Sequence, residues 1–185
     1  MLDETIGALE IGIILSTVLY GILTLQAYRY TEGDSKDRIW IPIMVAGVWL
    51  LETVHTVFLW ILLYDLTVTN YGKPETLDNI PWSFAMVFPL SAWLGSITQI
   101  FFAYRVRVLS GHTIIPIIAW TGSILRCSFG TTAGGLLLRA KTIPQFFAKY
   151  QWLATTPFVL NVVVDVLNTC SLCFYLFRAR SGSKT

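Results

Sequence analysis

The chain has 185 residues, of which 55% are hydrophobic and 13% charged, with a formal net charge of +2 and a mean hydropathy of +0.63. The charged share is about half that of soluble domains, and the apolar residues come in runs of about 20 to 25 rather than in the alternating or one-faced patterns of a water-soluble core. An ordinary soluble domain is excluded, lipid is the expected solvent, and no basic aromatic surface suggests nucleic acid as a partner.

Five candidate spans follow in chain order. The first covers residues 6–28, the second 40–64, the third 84–104, the fourth 114–138 and the fifth 152–177. Backbone amides inside a bilayer must be satisfied within their own segment, so all five are predicted helices, and the fold class is an all-α polytopic transmembrane bundle forming one domain. Pro42, Pro116 and Pro157 are placed in first turns, where a missing amide hydrogen costs little, whereas Pro89 lies deeper, where a kink is expected. The connections Arg29 to Arg38, Thr67 to Ser83, Arg105 to Thr113 and Arg139 to Gln151 read as short polar loops, with turn formers at Gly33-Asp34, Gly72-Lys73-Pro74 and Ser110-Gly111. None is long enough to hold a soluble catalytic domain.

The amino end, Met1-Leu2-Asp3-Glu4, is acidic where an export signal carries Lys or Arg, and the first apolar run is too long for one, so the first span is expected in the mature protein. The first and third loops and the tail hold Arg29, Lys36, Arg38, Arg105, Arg107, Arg178, Arg180 and Lys184, against Lys73, Arg139, Lys141 and Lys149 on the other side. The positive-inside rule then places the amino end outside and the carboxyl end in the cytoplasm. Trp40, Trp82 and Trp152 mark span ends, where indole rings favour the headgroup region.

Cys127, Cys170 and Cys173 are an odd count within predicted spans and read as small packing residues, not a disulfide framework. Phosphate-binding glycine loops, a nucleophile elbow and paired-Cys zinc spacings are missing from the sequence, as is any convergent nucleophile, base and oxyanion pattern, so no enzyme and no cofactor are predicted.

The polar residues inside the spans form the candidate site: Glu52, His55, Arg126, Asn161, Asp165 and Asn168. Glu52 and His55 are three apart and share a face, while Asn161, Asp165 and Asn168 follow i, i+4, i+7 spacing and make one stripe. Metal binding by Glu52 and His55 is disfavoured, since no second His or Cys joins them at ligand spacing. Arg126 has Gly122 and Gly130 one turn away on either side, and Gly130 and Gly134 with Ala133 read as a close-packing face. Gln99 with Ser91 and Gly95, and Glu10 with Thr17, Gly21 and Thr24, read as interhelical contacts.

Glu52, Arg126 and Asp165 each lie about a dozen residues from the cytoplasmic end of their helix, hence roughly 18 Å deep. A charge at that depth costs about 2.5 to 3.5 kcal/mol on insertion scales. Pairing of Arg126 with Asp165 or Glu52 is therefore expected, with either one carboxylate or His55 holding a proton. The alternative is that these ions only tie helices together.

Gly7-Ala8-Leu9-Glu10-Ile11-Gly12, Trp49-Leu50-Leu51-Glu52-Thr53-Val54-His55-Thr56, Phe102-Ala103-Tyr104-Arg105-Val106, Leu109-Ser110-Gly111 and Asp165-Val166-Leu167-Asn168-Thr169 occur in order, followed by Tyr175-Leu176 and Arg178-Ala179-Arg180-Ser181-Gly182. In these stretches, across essentially the whole chain, it resembles the fungal, mainly basidiomycete, multispan membrane proteins with a domain of unknown function numbered six-five-three-four. The resemblance implies seven helices with the amino end outside, so the five-span chain is expected to be a form ending after helix five. It implies no activity and no site residue.

Three function classes fit these observations: a receptor-like or signalling protein, a small-molecule or proton transporter, and a structural assembly component. The expected partners are the lipid bilayer and a second copy or another membrane subunit.

Overall fold

The computed structural model describes residues 2–33, 38–71, 81–140 and 142–182. Five long helices account for nearly all of them: α1 (Leu2–Glu32), α2 (Trp40–Tyr64), α3 (Trp82–Ser110), α4 (Ile114–Arg139) and α5 (Ile143–Gly182). Each contains a segment long and apolar enough to cross a membrane, beyond the roughly 20 residues that the hydrocarbon core requires. The chain is a multi-pass, all-α membrane protein.

α2 begins and ends at the predicted residues and continues as one π-helical turn, Asp65–Thr69. Asn70 closes that turn with its backbone N–H and its side-chain Nδ2, both donating to the Asp65 carbonyl at 3.1 and 3.0 Å. The turn formers predicted at Asp34 and at Gly72-Lys73-Pro74 lie outside the described residues.

Two predicted loops are shorter than expected because helix takes up part of each. α3 runs on through Arg105 to Ser110 and stops at Gly111, whose left-handed φ of 67° closes an amide bond to the Arg107 carbonyl at 3.1 Å. Only glycine adopts that conformation without strain. α5 starts nine residues earlier than the apolar run, with Pro144 in its first turn. Phe146 explains the extension: it is 1% exposed and packs with Ala85, Ala133, Leu137 and Leu153. Tyr150 has non-helical backbone angles (φ −127°, ψ 25°) and marks a kink between the two parts of α5. Pro157 is consequently not in a first turn but lies inside the helix, beyond that kink.

α3 is the organising helix, packing against α4 most extensively and also against α5 and α2, while α1 rests on α2 at the periphery. The α3–α4 contact is backbone-close because of small residues. A Cβ on Gly134 would lie 2.6 Å from Pro89 Cδ and 2.9 Å from the Ala85 carbonyl oxygen, and one on Gly130 would collide with Ala92 Cβ. Pro89 has no amide hydrogen to give Ala85, so the carbonyl that the proline frees is the one Gly134 packs against. α3 remains one helix through Pro89. Gly122, one turn before Arg126, makes the equivalent approach to α5, with Val164 Cγ2 2.7 Å from where its Cβ would stand.

The seven tryptophans divide into two groups. Trp40 and Trp82 open α2 and α3 and make edge contacts with Tyr104 and Phe58, whereas Trp152, expected at a span end, lies nine residues after the start of α5 and meets Phe129 edge-on. The other four each donate an indole N–H to a neighbouring helix: Trp49 to Thr24 at 3.2 Å, Trp60 to Thr17 at 3.0 Å, Trp93 to Thr131 at 3.1 Å and Trp120 to the Ile100 carbonyl at 3.3 Å. With Tyr20 and Thr53, whose hydroxyls are 2.8 Å apart, the first two form a ladder of three polar rungs between α1 and α2.

Candidate functional site

A polar layer crosses the interior where α3, α4 and α5 meet, and Gln99 of α3 is its centre. Gln99 is 1% exposed. Its Nε2 donates to Asn161 Oδ1 at 2.8 Å and to Asp165 Oδ1 at 3.0 Å, with the Asn161 carbonyl at 3.3 Å. Its Oε1 accepts from the Ser123 hydroxyl of α4 at 3.1 Å, and its backbone carbonyl accepts from Asn168 Nδ2 at 3.3 Å. One glutamine thus holds three of the predicted polar residues of α5 and one serine of α4. A primary amide suits this position because it offers donors and an acceptor at one end of a side chain.

The remaining hydroxyls of the layer are turned onto backbone. Ser96 bonds the Ala92 carbonyl at 2.7 Å and reaches the Ser123 carbonyl on α4 at 2.9 Å, and Ser123 bonds Ala119 at 2.8 Å. Such helix-carbonyl bonds keep hydroxyls satisfied in an environment without water. Asn168 is 3% exposed, and its Oδ1 has no partner.

Arg126 enters the layer one turn away. Its guanidinium lies over Gly95 of α3, where any side chain would collide with it, and Nη2 donates to the Ser91 carbonyl at 3.1 Å. Nη1 is buried without a hydrogen-bond partner. Ser91, Gly95 and Gln99 succeed one another at four-residue intervals along one face of α3. Arg126 therefore occupies two turns of that face and the α5 carboxamides and carboxylate occupy the next.

Neither carboxylate lies within ion-pair distance of Arg126 among the described residues; the geometry gives it the Ser91 carbonyl in place of the direct Asp165 or Glu52 partner expected from depth alone. Asp165 itself is exposed on the bundle surface apart from its bond to Gln99.

Glu52 and His55 form a separate pair on α2. His55 Nδ1 is 3.9 Å from Glu52 Oε1, an ion-pair distance too long for a hydrogen bond. The two side chains are 23% and 13% exposed, and both ring nitrogens of His55 are buried without a hydrogen-bond partner. The stripe Trp49, Thr53, Trp60 meets α1, whereas His55 lies on a different line of α2, with Val48 and Leu62 at seven-residue spacing. The six predicted residues thus divide: Asn161, Asp165 and Asn168 converge on Gln99, Arg126 sits beside them, and Glu52 with His55 forms its own pair.

Sequence reasoning grouped Gln99 with Ser91 and Gly95 as a packing contact and missed its central role. The stripe Ser91-Gly95-Gln99 was the available signal. Cys127 is half-buried, Cys170 and Cys173 are exposed, and all three thiols are free. No group of His, Cys, Asp and Glu able to hold a metal occurs among the described residues.

Five membrane-length helices, three of which meet at a hydrogen-bonded polar layer, define the class: a multi-pass membrane bundle. No family model, curated protein or solved structure matches the chain in comparison.

Proposed function

We propose that the chain is a receptor-like membrane protein in which the layer around Gln99 and Arg126 is the responsive element. The observation that carries this reading is Arg126: a cation in the bundle interior with one guanidinium nitrogen bonded to Ser91 and the other buried and unbonded. A donor left open at that depth is costly, so a ligand or conformational change that supplies an acceptor gains the difference. The hydroxyls of the layer are committed to carbonyls, which favours binding over catalysis.

A small-molecule or proton transporter is the second reading, supported by the Glu52–His55 pair, a carboxylate and an imidazole 3.9 Å apart within one membrane-length helix. A structural assembly component is the third. The Lys/Arg asymmetry supports an outward amino end and a cytoplasmic carboxyl end, and the sequence resemblance supports placement among the fungal multispan proteins described above.

Two measurements test these readings. Proteoliposomes loaded with a pH-sensitive dye are expected to show no proton flux under a potassium-diffusion potential, and flux abolished by Glu52→Gln would replace the receptor reading with the transporter. A membrane-impermeant thiol reagent is expected to label a Cys placed at Asn79 but not one at Ser35 in intact cells; the reverse pattern overturns the orientation.

A further inference from the structure

A groove of about 430 Å³ runs along the flank of the bundle where α2, α3 and α4 meet. Ile97, Phe101 and Tyr104 of α3 form its floor, Trp40 one wall and Trp120 the other. The walls are fixed. Trp40 stands edge-on to Tyr104 with ring centres 5.1 Å apart, and Trp120 is held by its bond to the Ile100 carbonyl at 3.3 Å. A lateral apolar groove in a membrane-spanning bundle is open to acyl chains.

Charge gathers at one end only. Arg105 and Arg107 are exposed in the last turns of α3, and at 100° per residue they project to opposite sides of the line through Ile97, Phe101 and Tyr104. The Arg107 guanidinium carbon is 5.9 Å from the centre of the Trp120 ring, a cation–π contact that fixes it at the groove mouth. Arg38, also exposed, precedes Trp40 by two residues. Residues 105–120, which carry Arg105, Arg107 and Trp120, include no acidic side chain. The Arg107 side chain has no hydrogen-bonded or ion-paired partner among the described residues, so its N–H donors are available, and a guanidinium edge matches a phosphate.

We propose that this groove is a binding site for one anionic glycerophospholipid, with an acyl chain along Ile97, Phe101 and Tyr104 and the headgroup phosphate on Arg107, flanked by Arg105 and Arg38. The site rests on the membrane class alone and is independent of the receptor reading. Charge complementarity selects the occupant: a zwitterionic lipid fills the groove equally well but brings no net negative charge to Arg105 and Arg107, whose own helix end and following loop carry no acid.

The test uses the full chain in bilayers of phosphatidylcholine with a minor share of phosphatidic acid, extracted gently and weighed intact by native mass spectrometry. One phosphatidic acid is expected to remain bound in preference to phosphatidylcholine. Arg107→Gln lowers its retention about fivefold, the change that corresponds to about 1 kcal/mol per basic residue at a lipid surface, and Arg107→Lys, which keeps the charge but loses the guanidinium edge, lowers it less. Ile100→Trp attacks the site by volume at a 40% exposed position that lines the groove, leaves every charge in place, and is expected to lower retention as well. Arg139→Gln, at the opposite end of α4 from the groove, leaves retention unchanged. Equal retention of phosphatidylcholine, indifference to Arg107→Gln or to Ile100→Trp, or equal displacement by glycerophosphate without acyl chains would each overturn the proposal.

Discussion

Arg126 of α4 lies across Gly95 of α3, and the missing side chain on the glycine is what lets the arginine reach the Ser91 carbonyl. The relationship predicts a sign reversal. Gly95→Ala gains about 1 kcal/mol of helix propensity but displaces a charged hydrogen bond contributing about 1.5 to 3 kcal/mol, so it is expected to destabilise by about 1 kcal/mol. In an Arg126→Leu background no guanidinium is displaced, and the same change becomes stabilising. Unfolding in bilayers or detergent measures the cycle, and additive effects would show that Arg126 is not held over Gly95.

The same geometry bears on Arg126 and the carboxylates. Because no direct pair forms, Arg126→Leu combined with Asp165→Asn is expected to show coupling below about 1 kcal/mol, while Arg126→Leu with Glu52→Gln is additive. Coupling of about 3 kcal/mol or more in either cycle, as for a buried pair in contact, would mean that the guanidinium rests on that carboxylate.

Gln99 separates hydrogen bonding from charge at Asp165. Asp165→Asn keeps the Oδ1 acceptor that Gln99 uses at 3.0 Å and removes a carboxylate from an exposed position within an apolar helix, so stability is expected to hold or rise. Gln99→Leu removes the bonds to Asn161, Asp165 and Ser123 together and takes from Asn161 its interhelical donor, with an expected loss of about 1 to 2 kcal/mol, near the upper end for interhelical bonds in membranes. Thermal unfolding decides it: a larger loss in Asp165→Asn than in Gln99→Leu would make charge, not the amide, the organising feature.

How legible this was in sequence depends on the kind of information each residue carries. The helices were legible because a bilayer admits few alternatives, and α2 agrees with the apolar run at both ends. The extension of α5 to Ile143 was not, because Phe146 is buried by Ala133 and Leu137 of α4, a tertiary contact that leaves no trace in local hydropathy. In the site, spacing placed Asn161, Asp165 and Asn168 on one face. Depth brought Arg126 near Asp165 yet gave no azimuth, and azimuth is what sends its guanidinium to Ser91. The in-span tryptophans were hidden for a related reason: an indole N–H finds Thr17 or Thr24 only once α1 and α2 are registered against each other.

Adjacent glycines give a contrast within one turn of α4. Gly134 has no room for a Cβ, since Pro89 and the Ala85 carbonyl are backbone-fixed, whereas Gly135 has no neighbour within 4 Å. Gly134→Ala is expected to cost about 1 to 3 kcal/mol as overpacking. Gly135→Ala should stabilise by up to about 1 kcal/mol through helix propensity. Equal effects at the two positions would mean that α3 and α4 do not meet at this register.

α1 packs on α2 at the edge of the bundle, and its seam carries three polar rungs: Trp60 to Thr17, Tyr20 with Thr53, and Trp49 to Thr24. Interhelical bonds in membranes average about 0.6 kcal/mol and reach about 1.7, so Trp49→Phe with Trp60→Phe removes about 1 to 3 kcal/mol from a helix with few other tertiary contacts. Local opening, not global unfolding, is then the expected response. Hydrogen exchange in nanodiscs should accelerate along residues 13–28 of α1 and leave α3, α4 and α5 protected as before. Trp93→Phe serves as the comparison, since its partner Thr131 belongs to the densest helix pair, where the loss of one bond is shared among many contacts. Uniform acceleration across all five helices, or none in α1, would show that the rungs do not hold α1 to the bundle.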